Sequence, residues 1–153
     1  MLKNRAISAV QTKFTNHWQK TLDDETSNRL QFYKAIKNEF KFEEYLTTPT
    51  FEFRKAITKI RCSDHPLEVE KGRHRNIPRE NRICKLCPFG EMETEEHFLT
   101  KCIFFDICKH KHDLQYIIEA NDFINNVEPN QLGGYLTDAF SERKDYIEDL
   151  SLG

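Results

Sequence analysis

Three cysteines and a histidine in this chain have a spacing that could bind a metal ion. Cys84, Cys87, His97 and Cys102 follow the order C-x2-C-x9-H-x4-C. The close C-x2-C pair can hold one side of a tetrahedral ion, and the His and Cys five residues apart can close the other side. Thiolate and imidazole favour Zn²⁺, whereas Ca²⁺ or Mg²⁺ would require oxygen ligands. We predict a structural zinc site, because four protein ligands leave no open position, with an iron–sulfur site as the lesser alternative.

The two other cysteines, Cys62 and Cys108, leave further ligand sets open. Both fit small core residues, but Cys62-x2-His65 and Cys108-x-His110-x-His112 are alternative metal-binding groups. Five cysteines, an odd number with three assigned to metal, make a disulfide framework unlikely. We therefore expect a reducing, intracellular location, in the nucleus or the cytoplasm.

Positive charge is concentrated just before and within the first half of this pattern. Residues 71–85 contain six basic residues and one acid, a net charge of +5 in a chain whose total is −2. Such a segment favours contact with the phosphates of RNA or DNA, with low sequence specificity and a log–log salt slope of about −4 to −5. The predicted contact residues are Arg73, Arg75, Arg79, Arg82 and Lys85.

Acidic residues offer a weaker case for catalysis. Asp64, Glu68 and Glu70 lie close to Lys71, as in a metal-dependent nuclease, but Glu70 and Lys71 would face opposite sides of an extended strand. The acids between Glu91 and Glu96 form a charged spacer inside the metal pattern. With no nucleophile elbow or glycine-rich phosphate loop, we expect no enzymatic activity and no small-molecule substrate.

The elements that must position these residues are mostly helices. Apolar residues at three- and four-residue steps predict amphipathic helices. The first runs over Ile7–Trp18, and the second runs from Leu30 towards Thr47, after the acids Asp23, Asp24 and Glu25. The third runs from Pro49 to Ile60, with Thr48 as its N-cap. Two more helices are predicted over Ile103–Glu119 and Leu132–Leu150, with one helical turn between them at Asp122–Val127. A short strand is expected at Leu67–Glu70, an exposed loop over Arg73–Arg82, and a helix from Glu95 to about Lys101, capped by Thr94.

Together these features predict a mainly α fold with a small zinc-knuckle insertion and at most a short strand pair. The parts are 1–70, 71–108 and 109–153, and they should form one compact unit, since 153 residues suit a single core. No apolar run is long enough for a membrane span, so no membrane partner is expected.

Several segments resemble a known family. Arg61–Arg73, Arg82-Ile83-Cys84-x2-Cys87, Glu93–Leu99 and Cys102 look like the C-terminal region of LINE-type (non-LTR) retrotransposon reverse transcriptases, where a Cys-Cys-His-Cys zinc knuckle follows the polymerase. The resemblance covers roughly residues 28–108. It implies metal ligation by the four-residue pattern and contact of the arginine-bearing segment with template RNA or target DNA.

Departures from that family limit what carries over. The chain has no Tyr/Phe-x-Asp-Asp catalytic pair and no Lys-Pro-Asp endonuclease signature, so it resembles a detached tail without polymerase activity. Phe89, Phe98 and Tyr116 are candidates for stacking on bases, with core packing as the usual alternative. The rival interpretation is a zinc-braced helical protein–protein interaction module whose acidic C-terminal helix binds a basic partner.

Overall fold

The computed structural model describes residues 2–24, 30–37 and 39–153. Glu25, expected before the second helix, and residue 28, where the family resemblance begins, lie outside these ranges. Within them the chain forms seven α-helices: α1 Leu2–Asp23, α2 Gln31–Ile36, α3 Phe51–Arg61, α4 Glu68–His74, α5 Asp106–Lys111, α6 Ala120–Asn125 and α7 Pro129–Leu152. The described residues contain only an isolated antiparallel bridge, between Ile83 and Met92, so the mainly α prediction is confirmed.

The core is organised around α3 and α7. Their close approach occurs at Gly133, where an added Cβ would lie 2.3 Å from Cβ of Phe53. The fully buried Phe98 also packs on α7: its ring stacks on that of the partly buried Phe140 with centroids 4.9 Å apart and lies 6.4 Å from that of the fully buried Tyr135. The core therefore joins the segment that carries His97 to the longest helix of the chain.

Helix α1 forms as predicted, but its apolar face is not buried. Across Leu2–Asp23, all of it described, no residue is buried, and Phe14 is 61% exposed. The helix is attached near its end by Trp18, whose indole N–H donates to the Tyr33 hydroxyl at 3.2 Å and whose ring lies 5.7 Å from that of Phe40. Helical periodicity thus predicted the element without predicting a partner for it.

The predicted strand at Leu67–Glu70 is wrong, because these residues begin helix α4. Glu93, 25 residues away, supplies the N-terminal cap: the Glu68 N–H donates to its carboxylate at 2.7 Å and the Val69 N–H to its carbonyl at 3.2 Å. The two hydrogen bonds satisfy backbone N–H groups at the start of the helix and so stabilise it. Because Glu93 is distant in the sequence, no local pattern predicts this cap.

Other predicted boundaries also change. The second helix is short and ends at Ile36, and α3 begins at Phe51 rather than Pro49. The helix expected over 103–119 consists of a 3₁₀ turn at Ile103–Phe105 and α5, which ends before Asp113, a residue with φ +57°. Among the described helices, none is both long and apolar enough to cross a bilayer.

Candidate metal centre

A hairpin turn carries the first two cysteines. The Cys84 N–H donates to the Glu91 carbonyl at 2.8 Å, and the Glu93 N–H donates to the Arg82 carbonyl at 2.9 Å, which closes the hairpin on both sides of the isolated bridge. Gly90 lies in the turn with φ +67°, a conformation that a side chain would strain. The backbone N–H groups of Leu86 and Cys87 point at the Cys84 sulfur, as expected for a metal-binding knuckle.

A helical turn of unusual geometry carries the other two ligands. Thr94 caps it as predicted, with its Oγ1 accepting a hydrogen bond from the His97 N–H at 3.1 Å. Residues His97–Lys101 are π-helical, and the Cys102 N–H donates to the His97 carbonyl, five residues back, at 2.8 Å. In a regular α-helix residues five apart turn through about 500° and face different directions. The wider π turn removes that conflict and brings both side chains to one site.

The four predicted ligand residues converge. Their donor atoms all lie within 4.8 Å of one another, and all four residues are buried. The Cys84 and Cys102 sulfurs are 3.9 Å apart, and the Cys87 sulfur is 3.5 Å from Nε2 of His97. The residues therefore form a buried group that could hold a metal ion.

The electrostatics of this group favour a cation. A hydrogen bond from the Cys102 thiol lowers the pKa of Cys84 to about 3, and the same interaction raises the pKa of Cys102 well above its usual range. A hydrogen bond to Cys84, and another to Glu91, raise the pKa of His97. A second thiolate beside that of Cys84 is therefore unfavourable, because adjacent thiolates repel each other unless a cation lies between them.

A carboxylate outside the ligand set orients the imidazole. Nδ1 of His97 lies 3.0 Å from Oε2 of Glu91, which leaves Nε2 facing the sulfurs. Metal-binding histidines commonly make this kind of contact through their second nitrogen. Glu91 was grouped with a charged spacer, and its role depends on the fold of the hairpin.

Comparisons of the chain with protein-family models, curated proteins and solved structures found no match.

Glu93 fixes the hairpin that carries Cys84 and Cys87 to the helical body. Its carboxylate accepts hydrogen bonds from Nε and Nη2 of Arg143 at 2.7 and 2.6 Å, besides the bond from the Glu68 N–H. Both side chains of this ion pair are almost fully buried, at 3% and 1% exposure. The sequence places Glu93 in the charged spacer, and the structure encloses it between α4 and α7.

Glu95 is a second spacer residue that is buried and paired. Its Oε1 lies 2.9 Å from Nε2 of His65 and accepts a hydrogen bond from Ser63 Oγ at 3.0 Å. Burial alone would raise the pKa of Glu95, but the hydrogen bond and charge from His65 outweigh it, so the pKa is lowered. His65 is thus engaged with Glu95 and Cys62 is exposed, and among the described residues neither belongs to a group of three or more potential metal ligands.

The basic residues predicted to contact phosphates differ in their surroundings. Arg82 is half-buried and donates to the backbone carbonyls of Ile77 and Val69, at 2.9 and 2.8 Å, so it holds the loop in place. Its Cγ also lies 2.5 Å from the position of a Cβ on Gly72, which requires glycine there. The guanidinium of Arg82 is therefore used within the fold.

The other four basic residues reach solvent to different extents. Arg73 pairs with Glu70 at 2.8 Å, and Lys85 with Glu68 at 3.3 Å. Arg75 and Arg79 are exposed, and no hydrogen bond or ion pair to another described residue engages their guanidinium groups. The unpaired positive charge is thus concentrated at Arg75 and Arg79.

The three aromatic residues predicted as candidates for base stacking differ in how far their side chains are exposed. Phe98 is fully buried and packs in the core, whereas Phe89 and Tyr116 are 56% and 82% exposed. Of the carboxylates weighed as a nuclease site, Glu68 and Glu70 are buried in ion pairs and Asp64 is exposed, and none belongs to a group of potential metal ligands among the described residues.

Proposed function

We propose that this chain is a zinc-stabilised module that binds the phosphate backbone of RNA or DNA without catalysing a reaction on it. The observation that carries the zinc part is the separation of the donor atoms. Around a tetrahedral Zn²⁺ with ordinary bond lengths, two sulfurs should be about 3.8 Å apart and a sulfur and a nitrogen about 3.6 Å. The distances of 3.9 Å between Cys84 and Cys102 and 3.5 Å between Cys87 and His97 agree with those values.

The same geometry makes the iron–sulfur alternative less suitable. A cluster places inorganic sulfide between its irons, so the protein ligands must spread wider than they do around one ion. Here all four donor atoms lie within 4.8 Å of one another. Four protein ligands also fill a tetrahedral ion, so in this proposal zinc supplies folding energy and leaves no position for activating water.

The zinc proposal is tested by metal analysis of the purified chain after dialysis against a weak chelator. We expect one zinc per chain, and we expect its loss in Cys84→Ser. Cys62→Ser is the matched control, because Cys62 is an exposed cysteine outside the group and its replacement should leave one zinc in place. A Cys84→Ser chain that keeps its zinc would contradict the ligand set.

Nucleic-acid binding is proposed from the arginine loop beside the hairpin. Arg82 anchors that loop, and the exposed Arg75 and Arg79 have no acidic partner among the described residues. Guanidinium groups held in such a loop can neutralise phosphates and release counterions. The resemblance to the tail of LINE-type reverse transcriptases supports this class of partner, and descent from such an element is part of the proposal.

The structure lowers the expected number of phosphate contacts. With Arg82 engaged in the fold, four of the predicted contact residues remain, two of them already in ion pairs. Four contacts to B-DNA give a log–log salt slope of about −3.6, compared with the −4 to −5 expected from charge alone, and four contacts to a single strand give about −3. If only Arg75 and Arg79 contribute, the slope falls to about −1.4.

Fluorescence anisotropy with a labelled single-stranded RNA, repeated with duplex DNA, tests this proposal over a series of salt concentrations. The double variant Arg75→Ala, Arg79→Ala should lose at least tenfold in affinity and about half of the salt slope. The control removes two exposed charges elsewhere, through Lys55→Ala and Lys144→Ala, and should change binding much less. Equal losses in both double variants, or no binding at low salt, would refute the proposal.

A protein-interaction module is the second candidate, and the exposed face of α1 favours it. Ile7, Val10 and Phe14 are 48%, 53% and 61% exposed on one side of a helix with no buried residue. An isolated helix is only marginally stable in water, so a partner covering this face would stabilise it. Phe14→Asp separates the two candidates: it should abolish an apolar protein contact and leave the salt-dependent binding of RNA unchanged.

A further inference from the structure

Helices α5 and α7 bring a second group of metal-binding side chains together. Cys108 and His112 are four residues apart, so both face α7 from the end of α5, and Asp138 faces them from α7. One donor atom from each residue lies within 4.8 Å of the others. Sequence spacing had suggested Cys108, His110 and His112, but His110 is exposed and Asp138 replaces it in the group.

The structure fixes the side chains of this group in position. His112 Nε2 is 2.8 Å from Oδ2 of Asp138, so the two donor atoms already face each other. The Gln131 amide donates to the His112 carbonyl at 2.7 Å, which holds the end of α5 against α7. Gly134 leaves room for the imidazole, since a Cβ there would lie 3.2 Å from Cε1 of His112. The side chains are therefore already gathered at one place, and an ion would replace their present contacts, which include the hydrogen bond from the Cys108 thiol to the Tyr135 carbonyl at 3.9 Å.

We propose that Cys108, His112 and Asp138 form a second, exchangeable site for a thiophilic divalent cation, of which zinc is the expected member. Sulfur, imidazole nitrogen and carboxylate oxygen are all accepted zinc ligands, and three protein donors leave a fourth position for water or for a side chain of a partner. In this site the ion takes the place of the hydrogen bond between His112 and Asp138 and joins α5 to α7.

Lys111 competes with the ion. Its ammonium group lies 2.6 Å from the same Oδ2 of Asp138, on a side chain that is 63% exposed and free to move away. A cation must displace this ammonium, so the three-ligand site should bind more weakly than the Cys84 group. Removing the competitor by Lys111→Gln should tighten binding severalfold, an effect that a purely structural role for Asp138 would not produce.

The test is a cobalt titration of the full chain, starting with one zinc bound. Co²⁺ binds such ligands more weakly than Zn²⁺ and so leaves a filled zinc site in place, while its absorption reports both thiolate bonding and tetrahedral geometry. We expect one equivalent of Co²⁺ to bind with a thiolate charge-transfer band, while metal analysis of the same sample still gives one zinc per chain.

Variants then assign the site. Asp138→Asn changes a carboxylate that is 35% exposed, so it should preserve the fold while weakening Co²⁺ binding at least tenfold. Cys108 is buried, and Cys108→Ser should remove the charge-transfer band; Cys62→Ser is its matched control and should keep it. The proposal would be overturned by a titration without a thiolate band, by an unchanged Co²⁺ affinity in Asp138→Asn, by a band that persists in Cys108→Ser, or by loss of the band in Cys62→Ser.

Discussion

Replacing Arg143 by Met tests whether its buried ion pair with Glu93 holds the hairpin that carries Cys84 and Cys87 against the helical body. The substitution keeps an unbranched, flexible side chain, shorter than that of arginine, and removes the guanidinium that donates to both carboxylate oxygens, at 2.7 and 2.6 Å. The carboxylate would then remain buried with one charged partner removed, and the Glu68 N–H as its remaining close donor. Removing one partner of a buried ion pair lowers the free energy of unfolding by about 3–5 kcal/mol, because the remaining charge is desolvated and uncompensated.

That cost is a large fraction of the stability of a domain, which is typically about 5–15 kcal/mol. With a urea m-value of about 2 kcal/mol per molar, a loss of 4 kcal/mol lowers the unfolding midpoint by about 2 M. Equilibrium unfolding in urea at saturating zinc, followed by circular dichroism, measures this shift. Because Glu93 immediately precedes the Thr94 cap of the ligand-bearing turn, zinc affinity should fall in the same variant.

Lys144→Met is the matched control, since Lys144 is the next residue on α7 and is 70% exposed in a weak contact with Glu148 at 3.8 Å. Its effect should stay within about 0.5 kcal/mol. The double variant Arg143→Met, Glu93→Met removes both charges and should recover part of the loss, although the Glu68 N–H loses its acceptor. If Arg143→Met costs less than about 1 kcal/mol, or no more than Lys144→Met, the ion pair is not what attaches the hairpin.

Three further substitutions test other parts of the structure. Glu91→Gln should lower zinc affinity roughly 10- to 100-fold in a chelator competition while keeping all four ligands, because it weakens the contact with Nδ1 of His97. Gly133→Ala should destabilise the chain by about 1–3 kcal/mol in urea unfolding, since the new methyl group would lie 2.3 Å from Cβ of Phe53. Glu95→Gln should make the free energy of unfolding depend less on pH below about pH 5, as measured by urea unfolding at several pH values. The lowered pKa of Glu95 stabilises the fold at pH values above the ordinary pKa of 4.5, and this stabilisation is lost as the pH falls through the pKa of the folded state.

The sequence predicted the convergence of Cys84, Cys87, His97 and Cys102 and the location of the longest helix, because both depend on local spacing. A C-x2-C pair has few uses besides metal binding, and the Thr94 cap was visible three residues before His97. The apolar period of α7 extends over several turns, so its location did not depend on any one contact. The π-helical turn that brings Cys102 back to His97 was not predicted, since it is a response to the spacing of the ligands.

Predictions failed where a residue far along the chain decided the outcome. Leu67–Glu70 alternates like a strand, yet Glu93 caps it as a helix, and no local pattern links residues 25 positions apart. The apolar periodicity also predicted a helix that continues through Asp113. In the structure α5 ends before Asp113, whose φ is positive, and Tyr116 beyond it is 82% exposed. Net charge, in turn, could not distinguish Arg82, whose donors are used by backbone carbonyls, from its exposed neighbours.

The sequence by itself determined that three sulfurs and an imidazole are available at metal-binding spacing, next to a segment of positive charge. Tertiary structure alone decided which charges remain available to a partner, that Glu93 meets Arg143 fifty residues away, and that Asp138 joins Cys108 and His112. The physical reason is that ligand spacing is set by the local backbone, whereas the burial and pairing of a charge depend on which distant segment packs against it.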